Sequence, residues 1–251
     1  MNDNIIVKLI ILISLLLLLL LLTKNASKFN DSLKNEKPLY NGDYWESYRL
    51  GDVVLQNINS IHYKDLTFYD NVMYHIEKFP NSIASKYLQK NNKNQNYDLL
   101  LEIINEVNIE HYSNNNNEIL LTNSDLVLHI RIGDILCDYD KGNQSKDYSK
   151  LGDTDWWTEV IDYITDSKIT KVYIISGAHY DKCMNESVDY LQDRINFLKN
   201  NNLNVEMITD KNPDETIIFC SKASHFITTG GQYGKLIGNI VKRQGGNFVL
   251  K

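Results

Sequence analysis

The sequence has no cysteines at metal-ligand spacing, almost no proline and no stripe of basic residues. Its three cysteines, Cys137, Cys183 and Cys220, form an odd set with no CxxC step, which indicates neither a disulfide framework nor a zinc site. A formal net charge of -6 and an isoelectric point near 5.5 argue against a nucleic-acid partner, because phosphate binding needs a basic surface that releases counterions. Proline is limited to 3 residues, and many of the 12 glycines fall late in the chain. What the chain does have is 251 residues, 43% of them hydrophobic and 23% charged, enough for one large domain or two small ones with a real core. The 31 asparagines, with abundant Ile, Lys and Tyr, match a strongly AT-biased coding sequence, so Asn-rich stretches carry little information.

One long apolar run stands at the amino end. From Ile5 to Thr23 the only charge is Lys8, and Leu15 to Leu22 is unbroken leucine. As a helix with about 1.5 Å rise per residue the run covers roughly 28 Å, close to one bilayer core. Lys8 near its end can snorkel to the interface. An uncleaved signal anchor over residues 1–23 is the expectation, since small residues at the positions a signal peptidase reads are hard to place between Leu22 and Lys28. Lys24, Lys28, Lys34 and Lys37 follow the span and by charge alone would keep the body in the cytosol. The N-x-S sequons at Asn25, Asn30, Asn143 and Asn185 do not decide orientation, because this much Asn yields about three by chance.

Residues 24–39 read as a polar stem and residues 40–124 as a helix-rich amino-terminal domain, with helices expected over Phe68–Phe79 and Tyr97–Asn108. In the second, Leu100, Ile103, Ile104 and Val107 form one stripe. From residue 125 to residue 251 strand and helix alternate. Strands are expected at Leu126–Ile132, Lys171–Ser176, Leu203–Thr209, His225–Thr229 and Asn247–Leu250. Helices are expected around Asp155–Thr165, through Val188–Leu198, at Asp214–Lys222 behind an Asn212 cap, and at Tyr233–Arg243. Short, continuous apolar strands separated by helices require a parallel sheet covered on both faces, so the fold class is α/β and Rossmann-like.

In such a sheet ligands sit outside the carboxyl ends of the strands. The residues there are Gly133 and Asp134, Ser176 to His179 with Gly177 between, Thr209 and Asp210, and Thr229 to Tyr233 through Gly230, Gly231 and Gln232. Alternation puts His129 and Arg131 on one strand face. An Arg at that edge suits a bidentate grip on a diphosphate, and Asp134 could orient it; a structural Arg with a core carboxylate and a satisfied buried His is the plain alternative. The Gly230-Gly231 start of the last helix offers backbone N–H groups and a positive dipole end to the same anion.

The segment His129-Ile-Arg131-Ile-Gly133-Asp134 resembles the HxRxGD motif of α-1,2-fucosyltransferases and related enzymes that use GDP-fucose. Lys171 to Ser176 resembles their second motif, and Asp214 to Ile237 their third. The resemblance covers roughly residues 125–245. It implies a GT-B-like carboxyl-terminal domain that binds GDP-fucose, with a reduced amino-terminal acceptor-side domain, Arg131 on the β-phosphate, and inverting transfer to a glycan acceptor with no metal or other cofactor. It implies substrate contacts from His129, Arg131, Gly133, Asp134, Ser176, Gly177, Thr229, Gly230, Gly231, Gln232 and Tyr233. A single-pass membrane enzyme of the endoplasmic reticulum or Golgi, with a lumenal body, would account for the anchor and stem. Ile132 stands where the family usually has a second Arg, and Gln232 to Leu236 where it has Ser-Phe-Ser-Trp-Trp.

The catalytic base stays open among Asp134, His179 and Asp210, all near strand ends. Asp138-Tyr-Asp140 lies in a polar loop and reads as a solvated turn, not a metal site. Trp156 and Trp157 could stack on a sugar or guanine, or anchor the first crossover helix in the core. Two other functions compete. Gly-Asp after a strand is half of a metallophosphoesterase site, but the Gly-Asn-His turn is missing. Alternatively, the chain is a relic that binds nucleotide-sugar or glycan without turnover.

Overall fold

A computed structural model describes residues 54, 79–90, 96–112, 119–132, 136, 154–176, 184–208 and 211–249, all within the compact unit Lys37–Lys251. The expected membrane span at residues 5–23, the stem, the helix over Phe68–Phe79 and the loops after the first two strands lie outside these residues or almost entirely so. Among the described residues no helix is long and apolar enough to cross a membrane.

In chain order the elements are α1 (Ile83–Lys90), α2 (Tyr97–Val107), a π-helical turn (Asn108–Tyr112), β1 (Asp125–His129), α3 (Thr154–Asp166), β2 (Lys171–Ile175), α4 (Met184–Asn200), β3 (Asn204–Ile208), α5 (Pro213–Ser221), β4 (His225–Thr228), α6 (Gly231–Arg243) and β5 (Asn247–Val249). The five strands form one parallel sheet in the order β3-β2-β1-β4-β5. The chain thus winds outward from β1 to β3, returns, and winds outward again from β4. The α/β Rossmann-like expectation holds at this level.

Register fixes which side chains share a face. Val127 pairs with Phe226 and His129 with Thr228, so these four point to one side of the sheet; Leu128 pairs with Ile227 on the other. On the first side Val127, Tyr173, Ile175 and Phe226 share a single buried cluster with Ile217 and Phe219 of α5 and Leu236 and Ile240 of α6. The α2 stripe of Leu100, Ile103, Ile104 and Val107 enters the same cluster, as its helical spacing dictates. Polar ties reinforce the seam: Asn239 donates to the Tyr97 hydroxyl at 2.8 Å, and the buried Asp214 carboxylate of α5 accepts from the Ile83 N–H at 3.3 Å.

On the opposite side Trp157 is buried and meets Phe197 of α4 edge-on at 6.2 Å, while Trp156, also buried, packs against Trp157 at 4.9 Å. Of the two roles open to the tryptophans, both are seen anchoring α3 in the core.

Two boundaries depart from the sequence pattern near the strand ends that matter most. β1 stops at His129 and not Ile132, because the Arg131 N–H donates to the Thr229 side chain, not to a β4 carbonyl. α6 begins at Gly231 and not Tyr233, because Gly230, with φ 140° and ψ -158°, takes a conformation open only to glycine and turns the chain directly into the helix.

Candidate functional site at the β1 and β4 carboxyl edge

The strand order reverses between β1 and β4, and adjacent strands that depart in opposite directions leave a crevice at their carboxyl ends. Five of the expected residues, His129, Arg131, Thr229, Gly230 and Gly231, meet there. The Thr229 amide donates to the His129 carbonyl at 3.1 Å and the Thr229 hydroxyl oxygen accepts from the Arg131 N–H at 2.9 Å, so the two strand ends are laced one residue past the sheet. Gly230 and Gly231 then open α6.

Arg131 lies directly against that helix start. A Cβ on Gly231 would fall 2.9 Å from its Cδ and 3.3 Å from Nη1. Gly231 suits its φ of +79°, and any Cβ there would push the packed Arg131 stem aside. The helix start itself carries no side-chain cap. The contrast with α5 is direct: there Asn212 accepts from the Glu215 N–H at 2.9 Å while Glu215 accepts from the Asn212 N–H at 3.0 Å, a complete capping box. α6 thus presents its first-turn amides and positive dipole end beside a guanidinium. This arrangement can bind an oxyanion.

Behind the helix start the packing is tight. The His129 Nδ1 lies 3.0 Å from the Thr228 hydroxyl, and its ring meets Tyr233 edge-on at 5.9 Å and Phe226 at 6.5 Å. Tyr233 is half-buried, and its hydroxyl donates to the Pro213 carbonyl at 2.6 Å. Burial pushes its phenol well above the usual range, with the Asp214 carboxylate adding in the same direction, so the group stays neutral and acts as a tie from α6 to the start of α5.

Other expected residues have different placements. Gln232 is exposed on the first turn of α6. Ser176 is buried, and its hydroxyl donates to the Ile130 carbonyl at 2.8 Å, extending the β1 and β2 pairing by one rung. Gly133, Asp134, Gly177, His179 and Asp210 lie outside the described residues. Ile132, buried at 1% exposure, is part of the core. Among the described residues no cluster of three or more His, Cys, Asp or Glu could hold a metal ion.

Two residues outside the expected substrate contacts complete the site. Thr228 is fully buried, and its Oγ also accepts from the Gly230 N–H and donates to the Gly230 carbonyl, each at 3.2 Å. Gly234, one turn into α6, must lack a side chain: a Cβ there would overlap the Thr228 hydroxyl and come within 3.1 Å of His129 Nδ1. The only local signal was a Thr-Thr-Gly-Gly run. Its meaning depends on a register between residues 99 positions apart.

No protein-family model, curated protein or solved structure matches the chain. The functional reading therefore rests on the motif residues and the geometry of this edge.

Proposed function

We propose that the chain is a glycosyltransferase that takes a GDP-sugar, GDP-fucose first among them, and transfers the sugar to a glycan acceptor with inversion and without a metal. The observation that carries this reading is the Arg131 side chain packed on Gly231 at the uncapped start of α6. Sugar transfer from a nucleotide needs the departing diphosphate to be stabilised as the anomeric bond breaks. A guanidinium beside a helix amino end would supply that stabilisation. The HxRxGD resemblance of residues 129–134 supplies the nucleotide and the sugar.

In this reading the acceptor hydroxyl attacks the anomeric carbon from the face opposite the diphosphate. The carbon–oxygen bond to GDP breaks, Arg131 and the α6 amides take up the charge on the β-phosphate, and the acceptor proton passes to a base among Asp134, His179 and Asp210. Residues 5–23 would hold the enzyme in the membrane of the endoplasmic reticulum or Golgi with its body lumenal. A second reading, binding without turnover, is favoured by one feature: Ile132 is a buried apolar residue where the resembling family usually carries a second Arg.

The test is thermal protection of the chain by nucleotides, followed by transfer of radiolabel from GDP-fucose to mixed glycan acceptors. GDP should raise the melting temperature with and without EDTA, and UDP or CMP should do so much less. A UDP preference, or protection that disappears in EDTA, contradicts the donor assignment. Protection without label transfer selects the binding-only reading.

A further inference from the structure

We infer that Thr228 is the positioning residue of this site, holding the His129 imidazole and the start of α6 in one fixed unit through a single hydroxyl. The inference rests on the diphosphate reading of the edge and names a residue that the HxRxGD motif does not contain.

The hydroxyl sits where three demands converge. His129 Nδ1 lies 3.0 Å away on the neighbouring strand, and the Gly230 N–H and carbonyl each lie at 3.2 Å. A hydroxyl has one proton and two lone pairs, so it can satisfy a ring nitrogen, an N–H and a carbonyl at once, which no apolar isostere can do. Thr228 is fully buried, so water cannot replace it. Its position follows from register: it is the residue of β4 paired with His129, on the same face, immediately before the turn into α6. Gly234 leaves the space in which the hydroxyl and the ring nitrogen meet, since any Cβ there overlaps the Thr228 oxygen.

Two consequences follow. The imidazole cannot rotate about its χ2 axis without losing the hydroxyl, so Nδ1 is held toward Thr228. Gly230, whose amide and carbonyl both touch the same oxygen, is held in the conformation that starts α6. Arg131 reaches this unit independently, through its N–H to Thr229 and its stem on Gly231. Thr228 therefore holds the His129 side chain and Thr229 the Arg131 main chain from successive positions at one strand end.

The experiment compares Thr228→Val, Thr228→Ser and Gly234→Ala in the full chain, purified in detergent, by two readouts. The first is GDP affinity from titration calorimetry. The second is the pair of His129 ring nitrogen shifts in long-range nitrogen–proton NMR, assigned with His129→Gln. Thr228→Val should weaken GDP binding roughly 10- to 100-fold, the scale of one lost buried hydrogen-bond network, and collapse the difference between the two nitrogen signals. Thr228→Ser should stay within about 3-fold of the parent and keep the signals, because it retains the hydroxyl. Gly234→Ala should reproduce the valine effect with the hydroxyl still present. Circular dichroism of each variant, with Thr228→Ser as the folding control, separates positioning from collapse.

Valine at 228 with unchanged nitrogen signals and unchanged GDP affinity overturns the inference, as does serine behaving like valine, which would make the methyl group the important part. If the parent chain binds no GDP, the diphosphate reading falls, and the nitrogen signals alone decide whether Thr228 positions the ring.

Discussion

The Arg131 N–H donates to the side-chain oxygen of Thr229 at 2.9 Å, at the point where the parallel ladder of β1 and β4 would otherwise continue through backbone carbonyls. This side-chain rung ends the strand, and beyond it the Arg131 stem packs on Gly231 in place of extending the sheet. A hydroxyl and a glycine thus determine where the Arg131 stem lies.

Gly231→Ala tests that packing. An L-residue at φ +79° costs about 1–2 kcal/mol in backbone strain, and the new methyl group would meet Arg131 Cδ at 2.9 Å. Urea unfolding should report a loss of about 1–3 kcal/mol, with GDP affinity falling in the folded protein because the guanidinium must shift. Unchanged stability would mean that α6 starts in a different conformation.

Acid titration probes the seam between α1 and α2. Glu106 accepts from Lys86 and Lys90, each at 2.7 Å, and these hydrogen bonds hold its carboxyl down from 4.5 to about 2. A pKa lower in the folded than in the unfolded chain means that the contribution is fully present above about 4.5 and is lost as pH falls toward about 2. Carbon-detected NMR should give a Glu106 midpoint near 2, and Glu106→Gln should flatten the stability profile between those two pH values. A midpoint at the ordinary 4.5 would contradict the clamp.

Much of the fold was legible because its determinants are local. The stripe of Leu100, Ile103, Ile104 and Val107 marks α2 without reference to anything else, and Asn212-Pro213-Asp214-Glu215 marks the start of α5 by a cap residue, a first-turn proline and two acids. The continuous apolar runs of β1 and β2 announce strands buried on both faces. His129 and Arg131 could be put on one face by alternation alone. What could not be read depends on pairing across the sheet: the Thr228 contact to His129 needs the register of β4 on β1, and the early end of β1 needs Thr229 to replace a carbonyl. Asp214 has the same character, because from the sequence it is a favourable charge at a helix start, and only the fold reveals it accepting from Ile83, 131 positions away.

The opposite face of the sheet offers a stability test. Ser187 of α4 is fully buried with no hydrogen-bond partner for its hydroxyl; Trp157 Nε1 and Arg194 Nε are the other two such buried side-chain atoms among the described residues. Ser187→Ala removes a desolvated polar group without opening much space, so thermal unfolding should show stability unchanged or raised by about 1 kcal/mol. A loss of more than about 1 kcal/mol would reveal that the hydroxyl has a partner, an internal water first among them.

GDP binding to Arg131→Ala and Arg131→Lys by titration calorimetry, with circular dichroism to score folding, tests whether this edge grips a diphosphate. Losing a charge-assisted, two-pronged contact to a diphosphate should cost about 2–4 kcal/mol, a weakening of roughly 30- to 1000-fold, and lysine should restore only part of it because a point charge cannot reproduce the fork. That loss is expected with the apo melting temperature nearly unchanged. A lowered melting temperature with GDP affinity intact in the folded fraction would make Arg131 a structural residue and contradict the assignment of this edge as a nucleotide-sugar site.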